Sequence, residues 1–536
     1  MEREGAASPG EAVAPGNVIS KLYSMSIRNK LLGGLAASAL AGVMTFGAIA
    51  SPAYTDPNPK REFRGAWLHV IGQSQYQDMG TTRAKAYIQQ QLDKLQAAGC
   101  NAVIFQVRPT ADALYKSDLE PWSTWLTGKR GRAPQPDWDP MEFTLQEAHN
   151  RGMEFHAWLN PYRVTSNSKE ILPKDHDIYK HPERYVKFNG QTFFDPAYQE
   201  NRDFICKVVK DIVDRYDVDA IHIDDYFYPY PANGKRFEND NASYARFGNG
   251  MNRQAWRRKN VDLLIEQLHN TIKDAKPWVR FGVSPFGIWR NKKSDPRGST
   301  SSGLQNYDDL YADVLLWDQK GWVDYVVPQL YWSLDLAAAP SRHLAQWWND
   351  NIKNAQLYIG QDTKRTMDSA DPKNRDTNEL DTKVRLSRRL ENVDGNVWWH
   401  GYWVTDNYKG VADSLATKYQ RTIALPPAWG DSKVHPDRVS HLQVQRYDGK
   451  TFLEWTPPSH GGKEREDDAV MYVVYSFLPG EDTDDLTNSE TIIAVTPFSR
   501  VSIADDVDPE SVRGMTFAVT SLDRMNREST PVKIKL

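Results

Sequence analysis

The sequence predicts an α/β protein that folds as a (β/α)8 TIM barrel followed by a small β-sandwich. Eight short apolar runs alternate with amphipathic helices between Phe63 and Ile423, and the pattern changes to short alternating strands after Leu425. Parallel strands covered on both faces read as continuous apolar runs, and repeated strand-helix units close into a barrel. A chain of 536 residues is also long enough for two or three structural units.

Four apolar runs predict the first half of the barrel. These runs are Arg64–Val70, Asn101–Val107, Glu154–Leu159 and Ala220–Ile223. Each is followed by a segment in which apolar residues recur with helical periodicity. The predicted helices are one from about Thr82 to Ala98, one around Pro140–Arg151, one carrying Ile205 to Tyr216, and one running through Trp256 to Ile272.

Four further runs complete the predicted barrel: Arg280–Ser284, Val323–Tyr331, Leu357–Gly360 and Val397–Trp403. Helices are predicted around Tyr307–Gln319, through Leu344 and Trp347, and from about Thr377 to Glu391. The span exceeds a minimal barrel, and the excess lies in loops that follow strands. Those loops form the end of a barrel where active sites lie, so the pattern favours an enzyme.

The last hundred residues predict a separate module. Short alternating strands are divided by turn signals such as Asp448-Gly449 and Pro479-Gly480. Their number and length are typical of a fibronectin type III-like β-sandwich, which we interpret as a spacer or docking unit. The predicted boundaries are 1–53 for an N-terminal extension with a signal peptide, 54–425 for the barrel and 431–536 for the sandwich.

The N-terminal segment predicts export to the periplasm, the cell envelope or the exterior. Arg28 and Lys30 precede an uncharged stretch over 31–50 that ends in the small-x-small pattern Ala48-Ile49-Ala50. Twenty such residues could also span a bilayer uncut. The small residues at the end of the stretch favour cleavage, so no integral membrane domain is expected in the mature protein.

Composition excludes several classes of partner and cofactor. The net charge is −4 and the charges are nearly balanced, so nucleic acid is not expected as a partner. The chain has two cysteines and lacks His-Glu-x-x-His, Gly-rich phosphate-loop and Gly-x-Ser-x-Gly motifs, so we predict no disulfide framework, metal or cofactor. Its 18 Trp and 25 Tyr suit stacking on sugar rings as well as core packing.

The predicted fourth strand ends in two adjacent carboxylates, Asp224 and Asp225, preceded by His222 and followed by Tyr226. Unpaired carboxylates are unfavourable in a strand and in a core, so their place at the barrel rim points to chemistry. Adjacent strand residues point to opposite faces. One Asp is therefore predicted to be catalytic, while the other orients its partners or binds a sugar hydroxyl.

The loop after the second strand supplies a second group, in which Arg108, Asp112 and Trp122 are predicted to bind substrate beside Glu120. Glu120 lies between Leu119 and Pro121, an apolar setting that can raise a carboxyl pKa into the range of a general acid. The alternative is that Glu120 caps its loop or forms a structural ion pair with Arg108. We predict Glu120 as the catalytic acid and leave that alternative open.

Other strand ends carry polar side chains interleaved with aromatic ones. Such sets suit a polyhydroxylated ring, because amides and charged groups bind hydroxyls while aromatic rings cover CH faces. The predicted substrate-binding residues of this kind are His156, Asn160, Tyr162, Arg163, His222, Tyr226, Trp289, Gln329, Tyr331 and Trp332.

Several segments resemble the glycosyl-hydrolase-like family ten, among them FRGAWLHV, QVRPTADALY, HAWLNPYRV, HIDDYFYPYP and VVPQLYW. The resemblance extends over roughly Phe63–Asp406. It implies a (β/α)8 barrel related to the α-galactosidase-type superfamily, and some members of the family cleave peptidoglycan glycan strands. It further implies that Asp224 or Asp225 is essential, while Asp112 and Glu120 match the strand-two loop of the family. The eighth strand end, VWWHGYWVTD, is more aromatic than the family pattern.

Together these observations predict an exported glycoside hydrolase whose substrate is a polysaccharide, with peptidoglycan glycan as the first candidate. Asp224 and Asp225 are the predicted nucleophile or base and its orienting partner, and Glu120 is the predicted acid. Two alternatives stay open. One is a glycan-binding envelope protein without catalysis, and the other is a glycosidase that acts on a plant or host polysaccharide.

Overall fold

The structure is a computed structural model that describes residues 58–447, 449–459, 461–504 and 512–536. The predicted signal segment, residues 1–53, lies outside these ranges. Within them, no helix combines the length and the apolar character needed to cross a membrane.

Eight parallel strands form a closed barrel in chain order, which confirms the predicted barrel. All eight pair with their neighbours in parallel, including the closing pair of β1 and β8. The strands are β1 (Phe63–Leu68), β2 (Ala102–Arg108), β3 (Glu154–Leu159), β4 (Ala220–Ile223), β5 (Arg280–Val283), β6 (Tyr325–Val326), β7 (Gln356–Asp362) and β8 (Val393–Trp399).

Helices cover the outside of the barrel. The main ones are α1 (Gln75–Ala97), α2 (Pro140–His149), α3 (Gln199–Arg215), α4 (Arg253–Ala275), α5 (Val314–Lys320), α6 (Ser341–Asn351) and α7 (Leu380–Arg389). Shorter helical segments are Thr124–Thr127, Asp177–Tyr179, Pro182–Arg184, Asn241–Phe247, Asn306–Leu310, Thr363–Asp368, Gly401–Thr405, Tyr408–Gly410, Val411–Ser414, Leu415–Tyr419 and Ser489–Thr491. The apolar faces of the helices pack against outward-facing strand residues in one large core.

The inside of the barrel is a packed core of bulky side chains. Inward-facing residues of seven strands and of the loop after β6 fill it, namely Phe63, Trp67, Ala102, Ile104, Trp158, Ala220, Tyr325, Val327, Tyr358 and Val397. Such filling is general for eight-stranded barrels, which are solid at the centre. Only the carboxyl ends of the strands are therefore open to a ligand.

Two of the predicted strand boundaries are wrong. The sixth strand is expected to run to Tyr331, but the regular strand covers Tyr325–Val326 and is interrupted at Pro328, which lacks an N–H; beyond it Gln329 forms isolated bridges with Phe286 and Gly360. The eighth was expected to begin at Val397 and end at Trp403. It begins at Val393 and stops at Trp399, and a short helix starts at Gly401.

The long excursion after β3 carries a small antiparallel sheet of its own. Its strands are Arg163–Thr165, Gln191–Phe194 and Tyr185–Phe188, with Gln191–Phe194 in the middle. This sheet stands at the carboxyl end of the barrel and fixes Arg163 beside the end of β4, where the candidate site lies.

The C-terminal residues form two antiparallel sheets. One contains β9 (Ser440–Tyr447), β10 (Lys450–Thr456) and β13 (Arg500–Ala504), and the other contains β11 (Ala469–Phe477), β12 (Ile492–Thr496), β14 (Thr516–Asp523) and β15 (Val532–Lys535). An apolar core fills the space between the sheets. A second apolar cluster on the four-stranded sheet includes Leu425, the last residue of the predicted barrel domain.

This C-terminal part contacts the amino-terminal end of the barrel, opposite the candidate site. Asn526 donates a hydrogen bond of 2.7 Å to Glu154, the first residue of β3. Lys60 pairs with Glu528 at 2.6 Å, and Arg524 pairs with Asp217. The module therefore closes the bottom of the barrel and leaves the carboxyl ends of the strands free.

Candidate active site

Asp224 follows directly after β4 and faces the barrel axis. Its carboxylate accepts hydrogen bonds from Trp158 Nε1 at 3.0 Å and from Asn160 Nδ2 at 3.1 Å, both on the inner side of β3 or just beyond its end. The residue is 4% exposed. Burial raises the pKa of the Asp224 carboxyl, while Arg163 and the two donors act in the opposite direction. The donors also fix the orientation of the carboxylate.

Asp225 has a different environment one residue later. The hydroxyl of Tyr230 donates to Asp225 Oδ2, and Gln329 supplies a further hydrogen bond. Burial, followed by the negative charge of Asp224, raises the pKa of Asp225 to about 7. The carboxyl group of Asp225 is thus mostly protonated below about pH 7, which is the state that a general acid needs.

Arg163 and Tyr226 pack against each other at the open side of the Asp224–Asp225 pair. The guanidinium carbon of Arg163 lies 4.1 Å from the ring centroid of Tyr226, in cation–π geometry. Arg163 is buried and its charge favours the ionised form of Asp224. Tyr226 is 38% exposed, an unusual value for a large aromatic residue beside buried carboxylates. Its ring is therefore accessible to a ligand.

The polar residue beneath the carboxylates is His222. Its Nδ1 lies 3.0 Å from Tyr325 Oη, and its Nε2 lies 3.0 Å from Ser284 Oγ and 3.2 Å from Trp67 Nε1. Burial lowers the pKa of His222 well below its usual value, so the imidazole is neutral. His222 has no exposed surface. It lies below the carboxylates, where its hydrogen bonds join β4 to β1, to β6 and to the residue after β5, and the structure does not bring it to the open mouth of the barrel.

Aromatic rings line the side of the barrel mouth formed by β6 and β8. The rings of Tyr331 and Trp399 are parallel within 5° with centroids 6.2 Å apart, and both are half-buried. Trp332 packs against Phe286 at 5.3 Å. Gln329 donates from Nε2 to the carbonyl of Ser284 at 2.9 Å, which holds its amide beside Asp225. Tyr331, Trp332 and Gln329 thus lie where the sequence placed them, at the mouth.

Glu120 does not fit the predicted role of catalytic acid. Both of its carboxylate oxygens accept hydrogen bonds from Arg108, at 2.7 Å from Nε and 2.6 Å from an Nη atom. Arg108 also donates to the backbone carbonyls of Asn160 and Pro161. Both carboxylate oxygens are thus occupied by one buried guanidinium, which leaves neither free to contact a substrate. The structural ion pair, which was the alternative interpretation, is what the geometry favours.

Asp112 and Trp122 stabilise the same loop. Asp112 has no exposed surface, accepts hydrogen bonds from Thr110 and from the backbone N–H of Thr124, and lies 3.7 Å from Arg130. Trp122 is half-buried against the core. These contacts link the loop to the barrel, and they leave Asp112 without a free face for a sugar.

Three further residues predicted to bind substrate are located in the interior. His156 lies inside the barrel, hydrogen-bonded to Glu154 and to Tyr325 at 3.0 and 2.8 Å. Tyr162 and Trp289 belong to the core between the barrel and its helices. Each has at most 2% of its surface exposed. The structure therefore keeps these three side chains away from the open mouth of the barrel.

Sequence reasoning missed residues that the fold brings to the site. Trp158 was read only as part of an apolar strand, although alternation along β3 places it on the same face as Asn160. Trp399 was within a run noted for its aromatic content. Tyr230 lies in a loop whose path no periodicity predicts. Asp362 ends β7 and caps the helix that follows, with its Oδ1 2.8 Å from the Arg365 backbone nitrogen.

A closed parallel barrel with a buried carboxylate pair and aromatic rings at the carboxyl ends of its strands defines a barrel enzyme of the glycosidase type. Residues 62–377 match the family described as Glycosyl hydrolase-like 10. The chain belongs to this family and is a glycoside hydrolase, which confirms the resemblance noted in the sequence.

Known proteins of this kind are similar over most of the chain. Glycosyl hydrolase YngK of Bacillus subtilis is 37% identical over 500 residues, which cover 90% of this chain and 95% of that protein. Glycosyl hydrolase DigH of Escherichia coli is 39% identical over 332 residues, or 58% of this chain and 75% of that protein. The PgaB (BpsB) glycoside hydrolase domain from Bordetella bronchiseptica has 11% identity and a TM-score of 0.44, covering 67% of this chain and 99% of that one.

Proposed function

We propose that this glycoside hydrolase cleaves peptidoglycan glycan strands, with Asp225 as the general acid and Asp224 as the ionised carboxylate. The observation that carries the assignment is the difference between the two neighbours. Asp224 accepts three hydrogen bonds from N–H donors and faces Arg163, whereas Asp225 has a pKa of about 7. Glycoside hydrolysis needs one protonated and one ionised carboxyl group beside the bond.

The order of ionisation follows from the same contacts. The charge of Asp224 is one of the causes that raise the pKa of Asp225, so Asp224 loses its proton first. Just below about pH 7 the pair then holds one proton, located on Asp225. Asp225 can donate this proton to the oxygen of the leaving sugar, while the carboxylate of Asp224 stabilises the positive charge that develops on the ring or attacks it.

The exposed ring of Tyr226 and the half-buried rings of Tyr331, Trp332 and Trp399 support a sugar ligand. Aromatic faces cover the CH groups of a pyranose, and the amide of Gln329 beside Asp225 can bind a hydroxyl. Peptidoglycan is proposed as the substrate because the family resemblance includes members that cleave it. The predicted signal segment would bring the enzyme to that polymer.

The proposal extends to the other parts of the chain. Residues 1–53 would direct export and be removed, residues 54–425 would form the catalytic domain, and residues 431–536 would form a fibronectin type III-like module. Seven antiparallel strands in sheets of three and four support that last assignment. The position of this module at the bottom of the barrel favours a spacer or docking role over a catalytic one.

Product analysis tests the proposed substrate. The purified protein is incubated with a panel of polysaccharides that includes peptide-free peptidoglycan, and soluble products are identified by mass spectrometry. We expect fragments with a new reducing end from the peptidoglycan glycan, and none with the Asp225→Asn variant. Products from a plant or host polysaccharide alone would overturn the substrate. Binding of glycan strands without any product would overturn the catalytic assignment.

A further inference from the structure

A second cavity lies at the rim of the barrel, away from the carboxylate pair. It has a volume of about 270 Å³ and is bounded by the first half of α1 and by the loop that precedes α2. Gly80 opens one wall, because α1 kinks there and nothing lies within 4 Å of the position that a Cβ would take. The lining includes Tyr76, Gln77, Thr81, Ala84, Arg132 and Trp138.

The walls of this cavity are aromatic and polar. Tyr76 and Trp138 are buried, with 3% and 5% of their surface exposed. The indole Nε1 of Trp138 is buried and has no hydrogen-bond partner in the described protein. This atom is not open to the cavity, so the polar part of the lining comes from other residues, among them Gln77, Thr81 and Arg132. An apolar body with a few polar groups is the usual composition of a small-molecule site.

The charge of the lining is one-sided. Of the described residues that line the cavity, Arg132 is charged and none is acidic. Arg132 is exposed and forms none of the ion pairs found in the described part of the chain. The nearest acidic residue in sequence, Asp137, is paired with Lys116 at 2.7 Å. The cavity thus offers an uncompensated guanidinium to an anionic group.

The cavity is connected to the mouth of the barrel through a short chain of contacts. Tyr76 Oη lies 3.5 Å from Tyr402 Oη, and Tyr402 donates to the carbonyl oxygen of His69 at 2.9 Å. The ring of His69 is 5.0 Å from that of Trp399, one of the aromatic residues at the mouth. The cavity is therefore on the same end of the molecule as the carboxylate pair, one loop further out.

We propose that this rim cavity is an accessory subsite for a single sugar residue that carries a carboxylate. Its volume is just below the usual range for drug-sized ligands, so it can hold one sugar ring. The further rings of a glycan chain would extend outside the cavity. Arg132 would bind the carboxylate, while Tyr76 and Trp138 would contact the ring. The choice of a lactyl-bearing sugar as the natural ligand rests on the proposed peptidoglycan substrate. The proposal that the cavity binds a sugar acid rests on its lining alone.

Binding of a matched pair of sugars tests the proposal. The full-length protein is titrated with N-acetylmuramic acid, with N-acetylglucosamine and with acetate by calorimetry, and ligand contacts are followed by saturation-transfer NMR. N-acetylmuramic acid is expected to bind at least about tenfold more tightly than the other two, because a charged hydrogen bond and the ring contacts act together. If the two sugars bind with equal affinity, or if acetate binds as tightly as N-acetylmuramic acid, the site is not a subsite for a sugar acid.

Variants locate the binding. Arg132→Gln is expected to weaken N-acetylmuramic acid binding about tenfold, and Ala84→Leu, which fills the cavity from α1, to abolish it. Arg83→Gln serves as the matched control for Arg132→Gln, because it removes another exposed arginine, on α1 beside Ala84. Binding that survives Arg132→Gln and Ala84→Leu but is lost in Asp224→Asn would place the ligand in the catalytic site and overturn the proposal. Binding without peptidoglycan cleavage would instead overturn the proposed function alone.

Discussion

At the scale of single residues, the site shows how two neighbouring aspartates acquire different chemistry. Asp224 is surrounded by N–H donors from Trp158 and Asn160 and by the charge of Arg163. Asp225 has a phenol as its main partner and a carboxylate as its neighbour, and its pKa is raised to about 7. Pairs whose environments separate their pKa values supply the acid and the ionised group of many hydrolases.

The pH dependence of the rate follows from this difference. A general acid acts only while protonated, so we expect kcat/KM to fall as the pH rises through about 7. The hydroxyl of Tyr230 favours the ionised form of Asp225, and the variant Tyr230→Phe should therefore move this basic limb to higher pH. The measurement is a pH profile of kcat/KM for both proteins. A limb that stays in place in Tyr230→Phe would show that Asp225 does not control it.

At the scale of elements, the loop between β2 and α2 is stabilised by charge rather than equipped for catalysis. Arg108 joins Glu120 to the carbonyls that follow β3, and Arg130 joins Asp112 to Glu170. The contacts of Arg108 with the carbonyls of Asn160 and Pro161, and of Arg130 with Glu170, cross to the segment after β3. The loop therefore forms a fixed wall beside the carboxylate pair, which is a structural contribution to the site.

Glu120→Gln distinguishes this structural role from the role of an acid. Breaking a buried ion pair by removing one partner costs about 3–5 kcal/mol, because the other charge is left uncompensated. We expect a clear loss of stability in denaturant unfolding, with a normal position of the basic limb in the pH profile of the protein that remains folded. An unchanged stability together with a rate loss of about a hundredfold or more would restore Glu120 as the acid.

The sequence predicted the barrel strands well because β2 and β3 are continuous apolar runs with helices behind them. It singled out Asp224 and Asp225 because two adjacent carboxylates are unfavourable in a strand and in a core. Depth along a strand was harder to predict. His156 shares a face with Asn160, but four residues at about 3.3 Å each put it about 13 Å lower, inside the packed barrel.

Loop geometry was beyond the reach of sequence patterns. The pairing of Arg108 with Glu120 spans twelve residues without periodicity. Tyr230 reaches Asp225 across a bend that contains three further aromatic residues. Such contacts depend on the path of the backbone in three dimensions, which neither composition nor spacing specifies.

At the scale of the whole molecule, the two ends of the barrel have separate tasks. The carboxyl ends of the strands carry the carboxylates, and the amino ends bind the C-terminal module. Asn526 of that module completes a buried polar group with Glu154, Arg280 and His156. Leu425 has no exposed surface and packs against the four-stranded sheet of the module. The module is therefore positioned to affect stability more than catalysis.

A chain that ends at Leu425 tests this division. Removing the module exposes Leu425 and leaves Glu154 without its amide partner, so we expect the unfolding midpoint to fall by more than about 5 °C. Below that midpoint, the rate per folded molecule on soluble oligosaccharides should equal that of the full chain. A folded but inactive truncated protein would show that the module completes the site. An unchanged midpoint would show that the contacts at the bottom of the barrel contribute little.

The assignment of Asp225 as the acid is tested most directly by how the rate loss of the Asp225→Asn variant depends on the leaving group. Two glycosides that share the cleaved sugar are compared, one with a sugar leaving group and one with 2,4-dinitrophenolate, which departs without a proton. Asp225→Asn should lose about 10²–10⁴-fold in kcat/KM on the first and far less on the second, whereas Asp224→Asn should lose heavily on both. Asp214→Asn, an exposed carboxylate on α3, is the control. Equal losses of Asp225→Asn on the two substrates would contradict the account.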